Sequence, residues 1–360
     1  MRKVSRLVAV VTIAGVSAAP AAATVASAAP RGQADAHPVR PGRRPLSRAV
    51  GKSDAGTSRR HTSSAATLLA WAPPKLTDPT TITLASGLDP DHLTLDRNRD
   101  YVLKMPARGI RGTLEIDGGH DVVLMGGHIT VPASANQADN GRDDTDTALY
   151  VRGSTGTVHI EGVLIDADPD VMFDGIDVNA PRASVDIENV RVDDVYGSYA
   201  TEHADVIQTW GGAAKLRVDH LSADGDYQGL TIAPDLGTVG SADLRNIDLT
   251  LDRNPPALAH STVGGGHMVW LTRGTTTCDA TPTRLNDVYI DDRSDRVAEA
   301  GTVWPSSTGT LACAPRLDAG RVSWPRLPIT GSVTLGARTT GPFVPVGVAG
   351  SGYKSPGYAP

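Results

Sequence analysis

The sequence predicts an all-β protein, a single domain wound as a right-handed parallel β-helix. Three observations carry that expectation. First, six segments share one form: apolar, x, apolar, x, a small or turn-type residue, a further residue, x, apolar. They are VVLMGGHIT from Val122, VHIEGVLID from Val158, VDIENVRVD from Val185, LRVDHLSAD from Leu216, ADLRNIDLT from Ala242 and TRLNDVYID from Thr283, with starts 36, 27, 31, 26 and 41 residues apart. A fixed internal period is the mark of stacked repeats. Second, an upstream register accompanies each segment: LEI at Leu114, LYV at Leu149, IDV at Ile176, IQT at Ile207, LTI at Leu230 and VWL at Val269, offset by 8, 9, 9, 9, 12 and 14 residues. Two ladders that stay in step while outer loops vary imply coils of roughly 22 to 30 residues, stacked about 4.8 Å apart. Third, the chain holds 38 Gly and 25 Pro in 360 residues, with abundant Val, Thr and Asp and few long amphipathic runs. A β-sandwich is the alternative, and it would need hairpin turns and antiparallel pairing.

The elements follow in chain order. Arg2, Lys3 and Arg6, the apolar run Leu7 to Ala19 and the small-x-small triplet Ala26-Ser27-Ala28 predict a secretory signal peptide over 1–28, cleaved near Ala28. Its core is too short for a membrane span, and no later stretch reaches the roughly 20 apolar residues one needs. Secretion without membrane insertion is expected. Residues 29–60, rich in Ala, Arg, Pro, Gly and Ser, read as a disordered linker or pro-segment. A short helix around Ser64 to Trp71 is expected to cap the first coil, which would block edge-to-edge pairing. The β-helix domain spans 61–330, and a Gly/Pro-rich tail over 331–360 (GPFVPVGVAGSGYKSPGY) is expected to wrap the surface. Cys278 and Cys313, the two cysteines of a secreted chain, predict one disulfide; no Cys/His cluster suggests structural zinc.

Charge narrows the partners. Eleven of the 34 Lys/Arg precede His61, against two of the 40 Asp/Glu, so the folded body is near −15 although the whole chain is −6. Such a body repels nucleic acid and bare anionic lipid. It also repels a polyanionic glycan unless a divalent cation or a local arginine cluster intervenes. A monomer acting on a polysaccharide is expected.

Strand alternation then places the candidate site. If Ile176 and Val178 point inward, Asp174 and Asp177 point outward. By the same parity Asp205 and Gln208, Gln228 and Thr231, His267 and Trp270, and Tyr150 point outward. Stacked, they form one strip on the flank, with His203, Trp210, Asp224, Asp226 and Tyr227 on loops beside it. Asp174 and Asp205 should lie about one coil spacing apart, roughly 5 Å. Like charges that close favour a shared proton, which keeps one carboxyl as an acid near neutral pH. Aromatic rings beside carboxylates suit sugars, whose apolar faces stack on the rings. Asp166, Asp193 and Asp291 end second-register strands and read as turn residues. Asn189, His220 and Asn246 fill one repeat position and read as coil-corner residues. Gly264-Gly265-Gly266 precedes a strand with no helix behind it, which argues against a phosphate cradle.

With FDGIDVNAPRASVDIENVRVDD, HADVIQTWGG and ADGDYQGLTIAPDLG in view, the chain resembles the pectin-lyase-like β-helix superfamily, and in particular its polygalacturonase-type glycoside hydrolases. That family carries Asn-Thr-Asp-Gly, Asp-Asp, Gly-His-Gly and Arg-Ile-Lys on four successive coils. Here Phe173-Asp174-Gly175 falls on the first, Ala204-Asp205 on the second and Gln228-Gly229 on the third. Val269-Trp270-Leu271, or nearby His267, falls on the fourth. The first Asp of the pair is Ala204, the histidine is Gln228 and the basic pair is absent. The resemblance therefore implies the fold and a secreted attack on polysaccharide, and does not imply polygalacturonate as substrate.

The leading expectation is a glycoside hydrolase using Asp174 and Asp205, with Asp177 or Asp226 as further carboxylates. Gln208, Gln228 and His203 would orient water and hydroxyls; Tyr150, Trp210, Tyr227, His267 and Trp270 would bind sugar. A polysaccharide lyase is the alternative, with Arg182, Lys215 or Arg217 as base or partner and an Asp cluster holding Ca²⁺. A non-catalytic glycan-binding β-helix is the third. No cofactor is otherwise expected.

Overall fold

The computed structural model describes residues 68–86, 91–133, 147–169, 171–197, 203–252, 266–293, 302–307 and 311–357. The expected signal peptide over 1–28, the linker over 29–60 and residues 64–67 of the expected capping helix lie outside the described residues. The last part of that helix, 68–71, is irregular. The backbone N–H groups of Ala70 and Trp71 turn toward the sheet and donate to the Glu188 carboxylate, at 2.6 and 3.2 Å.

Arg60–Pro360 is one compact unit, and its described elements are strands. Successive circuits of the chain pair in parallel, in register, along three runs. On the first face Leu114 pairs with Leu149, then Ile176, Ile207, Leu230, Val269 and Val303. On the second, Leu103 pairs with Leu124, then Ile160, Ile187, Val218, Leu244 and Leu285. On the third, Ile110 pairs with Ile129, then Ile165, Val192, Ala223, Leu249 and Ile290. These side chains point inward and form one continuous core, nearly all of them fully buried. Each large aliphatic so buried contributes about 2 kcal/mol. The parallel pairing excludes the sandwich alternative; antiparallel pairing is confined, among the described residues, to the C-terminal strands Arg316–Asp318, Arg321–Ser323 and Val333–Leu335 and one Thr272–Ala280 bridge.

The nine-residue repeat is two separate strands in the first two repeats and part of one bent strand in the last four. In each it spans two faces, bent at a corner by its fifth residue. That residue is left-handed in all six repeats: Gly126, Gly162, Asn189, His220, Asn246 and Asp287, with φ from 50° to 67°. Asn and Asp tolerate this region because their short side chains bond locally, and glycine has no Cβ to clash. The Asp219 carboxylate ties two corners together, accepting from Asn246 Nδ2 at 2.6 Å and pairing with His220 Nδ1 at 2.7 Å. Asp166, Asp193 and Asp291 are not turn residues. They lie within third-face strands at outward parity and pair with His128, Arg191 and Arg293.

The tail runs back over the third face and this corner. Phe343 N donates to Asp248, Val344 N to Ser222 Oγ, Arg191 to Val344 O, and Gly350 N to Gly162 O. Tyr353 then lies on the corner, where a Cβ at Gly162 would strike its ring. That contact keeps position 162 a glycine, whereas Asn189, one circuit on, meets the Tyr353 hydroxyl with its side chain. Cys278 and Cys313 form the expected disulfide, with Cα atoms 5.7 Å apart.

Candidate functional site on the first face

Strand register builds the outward strip of the first face residue by residue. Glu115 pairs with Tyr150, Tyr150 with Asp177, Asp177 with Gln208, Gln208 with Thr231, Thr231 with Trp270 and Trp270 with Trp304. Six steps of about 4.8 Å make a strip roughly 29 Å long. Tyr150, Asp177, Gln208 and Trp270 stand where alternation put them. Asp174, Asp205, Gln228 and His267 each precede an inward residue by two, so alternation does not put them outward. Asp205 and Gln228 reach the strip from before the strand, where both meet the Thr231 hydroxyl.

The centre of the strip is a knot of buried carboxyls. Asp174, Asp177 and Asp205 are 8 %, 4 % and 0 % exposed. Asp174 Oδ1 accepts the backbone N–H of Asp205 at 2.6 Å, which confirms that the two carboxyls belong to neighbouring circuits. The Asp205 carboxylate accepts Gln208 Nε2 at 2.7 Å and the Thr231 hydroxyl at a short contact. Thr231 Oγ1 also lies 3.2 Å from Gln228 Oε1. Asp177 Oδ2 accepts the Thr147 hydroxyl at 2.8 Å, and its Oδ1 has no partner among the described residues. Burial dominates and pushes the Asp177 carboxyl up to about 7, against the smaller opposing pull of the Thr147 hydroxyl. Burial thus holds Asp177 toward its protonated form near neutral pH, with one buried oxygen unpartnered among the described residues.

The aromatic end of the strip is broader than alternation alone showed. The His267 ring lies 5.4 Å from Trp270 and 5.5 Å from Trp304, and the two indoles lie 6.1 Å apart. Trp304 was missed because Val303–Trp304 is a two-residue strand beyond the sixth repeat. Thr147 was missed because a hydroxyl at a strand start carries no periodic signal.

The residues expected on loops divide. Trp210 is 43 % exposed. It sits in a bulge, since Asp177 faces Gln208 while Asn179 already faces Gly212. The extra residues turn its indole outward. Gly211 must be glycine there, because a Cβ would meet the Asn179 side chain. His203 is exposed and its ring lies 5.6 Å from that of Tyr227. Tyr227 is only 3 % exposed, so its face packs inside rather than forming an open platform. Asp226 is 1 % exposed and receives the Gly197 amide at 3.0 Å. Asp224 leaves the strip altogether: it pairs with Thr250 on the third face and lines a cavity of about 330 Å³ there.

Two described clusters combine His and carboxylates closely enough to hold a metal, His92/Glu115/Asp117 and Asp100/His120/Asp121. Neither suits calcium, which takes six to eight oxygens. Each includes an imidazole. Arg152 already pairs with Glu115 and Asp117, and Asp100 already receives the Thr77 and Asp121 amides. The chain matches no family model, no curated protein and no solved structure. Among the described residues no helix is long and apolar enough to cross a membrane.

Proposed function

We propose that the chain winds as a right-handed parallel β-helix of the pectin-lyase-like kind, is secreted, and hydrolyses glycosidic bonds of a polysaccharide along the strip of its first face. One observation carries this reading: Asp177, raised to about 7 by burial and with Oδ1 unpartnered among the described residues, stands between Tyr150 and Gln208 beside Asp174. A protonated carboxyl poised at neutral pH is what departure of a sugar oxygen requires. Asp177 donates its proton to the leaving oxygen. Asp174, fixed by the Asp205 amide, supplies the second carboxyl that activates water or attacks the sugar. Both oxygens of Asp205 are already taken, by Gln208 and Thr231, so it positions those two side chains rather than touching substrate. Trp270, Trp304 and His267 offer ring faces to sugars further along.

Hydrolysis is favoured over elimination because two of the cations available as a lyase base, Lys215 and Arg217, stand on the second face, and Arg217 is held by Asp186. The test is incubation of the secreted protein with a panel of polysaccharides. New reducing ends without ultraviolet absorbance from a new double bond support the proposal. Unsaturated products, or binding without cleavage across the panel, overturn it.

A further inference from the structure

The second face carries cations in a body that is otherwise strongly acidic. Its outward ladder runs Ser184, Lys215 at the strand entry, and Asp186, Arg217, Asp243, Arg284, Thr330 two residues later. Most of its charge is neutralised locally. Arg217 pairs with Asp186, and Arg245 with Asp243. Lys215 and Arg284 are exposed and have no ion pair among the described residues.

An aromatic wall stands beside these two cations. The segment entering the fold crosses the second face and fixes Trp71 through its own backbone N–H, which donates to Glu188 at 3.2 Å. The guanidinium groups of Arg217 and Arg245 lie 5.2 and 5.0 Å from the indole centroid and lock the ring over the sheet. Trp71 stays partly exposed and lines a groove of about 470 Å³ together with Lys215, Arg284, Ser241, Pro328 and Thr330.

We propose that this groove is a second binding site, separate from the first-face strip, for an anionic saccharide. The sugar ring stacks on Trp71, its acid group pairs with Lys215 and Arg284, and its hydroxyls meet Ser241 and Thr330. The proposal does not depend on cleavage at the strip. A single aromatic platform with hydroxyl-bearing walls favours a sugar ring, and the acidic body, which repels any long polyanion beyond the groove, limits the ligand to a short acidic saccharide.

The test is titration calorimetry of the full chain at low salt with four probes: an oligoglucuronate tetramer, a heparin-derived tetrasaccharide, a neutral xylotetraose and a single-stranded oligonucleotide. Binding of either acidic saccharide, weakening with salt, and none of the neutral one is expected; which acidic probe binds tells a carboxylate from a sulfate site. The Lys215→Gln/Arg284→Gln double variant, altering only exposed side chains, should weaken binding about tenfold or more. Trp71→Phe should weaken it less. Asp177→Asn should leave it unchanged, which separates this site from the strip. Equal binding of xylotetraose, unchanged affinity in the double variant, or an oligonucleotide bound as tightly as the saccharides would overturn the proposal.

Discussion

The outer sides of the first and second faces rise from the same core by the same alternation, yet they hold their carboxyls differently. On the second face Asp186 is gripped by Arg217, and Glu188 receives two backbone N–H groups from the segment laid over it. His159 and Glu161 are fully buried and pair with each other at 3.0 Å. Those groups are internal structure. On the first face the partners are weaker donors: a threonine hydroxyl on Asp177, glutamine and threonine on Asp205, a backbone amide on Asp174. Burial raises Asp186 as well, but the Arg217 guanidinium pulls it back, whereas Asp177 has only the Thr147 hydroxyl to oppose burial and rises to about 7. The contrast teaches that a raised carboxyl does not by itself mark a reactive acid: Glu188 rises to about 8 with both oxygens engaged by the Ala70 and Trp71 amides, whereas Asp177 keeps one oxygen unpartnered among the described residues.

The largest expected effect breaks that contrast directly. Asp177→Asn should lower the initial rate of reducing-end release about a hundredfold or more. The same variant should be no less stable than the parent at neutral pH. A carboxyl raised in the fold binds its proton more tightly there than when unfolded. The parent therefore loses stability as pH climbs from about 4 to about 7, and the asparagine does not. Asp186→Asn should do the opposite. Activity stays within about twofold of the parent, while urea unfolding shows a loss of about 2 kcal/mol from stranding Arg217, which is itself partly exposed. If both variants lost activity alike, the two faces would not differ in kind.

Glu188 sharpens the comparison within the second face. Burial, with help from Asp219 and Asp186, raises its carboxyl to about 8, even though the Ala70 and Trp71 amides pull the other way. Stability should fall as pH rises from about 4.5 to about 8 and stay low above. Glu188→Gln should flatten that fall, leaving the variant on the order of 2 kcal/mol the more stable at pH 9. Thermal unfolding across pH reads it out. A parallel pH profile in parent and variant would show that the overlying segment, not the proton, sets the response.

Trp304→Ala tests how far the strip extends. Removing one ring of the His267, Trp270, Trp304 group should raise KM for a long substrate about tenfold with little change in kcat, since a remote ring binds ground and transition states alike. A short substrate should not notice. A drop in kcat on both would place Trp304 closer to the chemistry than the register implies.

Much of the stack was legible in the sequence because alternation is a strict rule. Ile176, Ile207, Leu230 and Val269 were read as one inward ladder and pair as one. The third face was half legible. Asn189, His220 and Asn246 read as corner residues and are left-handed corners. A corner that leaves the apolar spacing undisturbed hid that Asp166, Asp193 and Asp291 belong to strands of a further face. Tyr227 and Asp226 were misplaced because the circuit's entry into the first face tucks them inward, and nothing local in ADGDYQG signals that. The groove around Trp71 was invisible for a related reason. Its wall is a single aromatic outside any repeat, held by Glu188 more than a hundred residues away.

The smallest expected effect belongs to the corner. Asn189 is buried at φ 54° and donates from Nδ2 to the Tyr353 hydroxyl at 3.2 Å. Asn189→Ala places a Cβ in the left-handed region without a polar side chain to compensate, at about 1 kcal/mol, and it removes a hydrogen bond worth about 1 kcal/mol more. Asn189→Gly loses the same bond but relieves the backbone. Alanine should therefore be the less stable of the two by about 1 kcal/mol in urea unfolding, with activity on the first face unchanged in both. If the glycine variant were the worse, the corner would be held by the asparagine's contacts with the tail rather than by its tolerance of that conformation. The tail's run from Phe343 to Tyr353 would then join the core as a part of what keeps the strip in register.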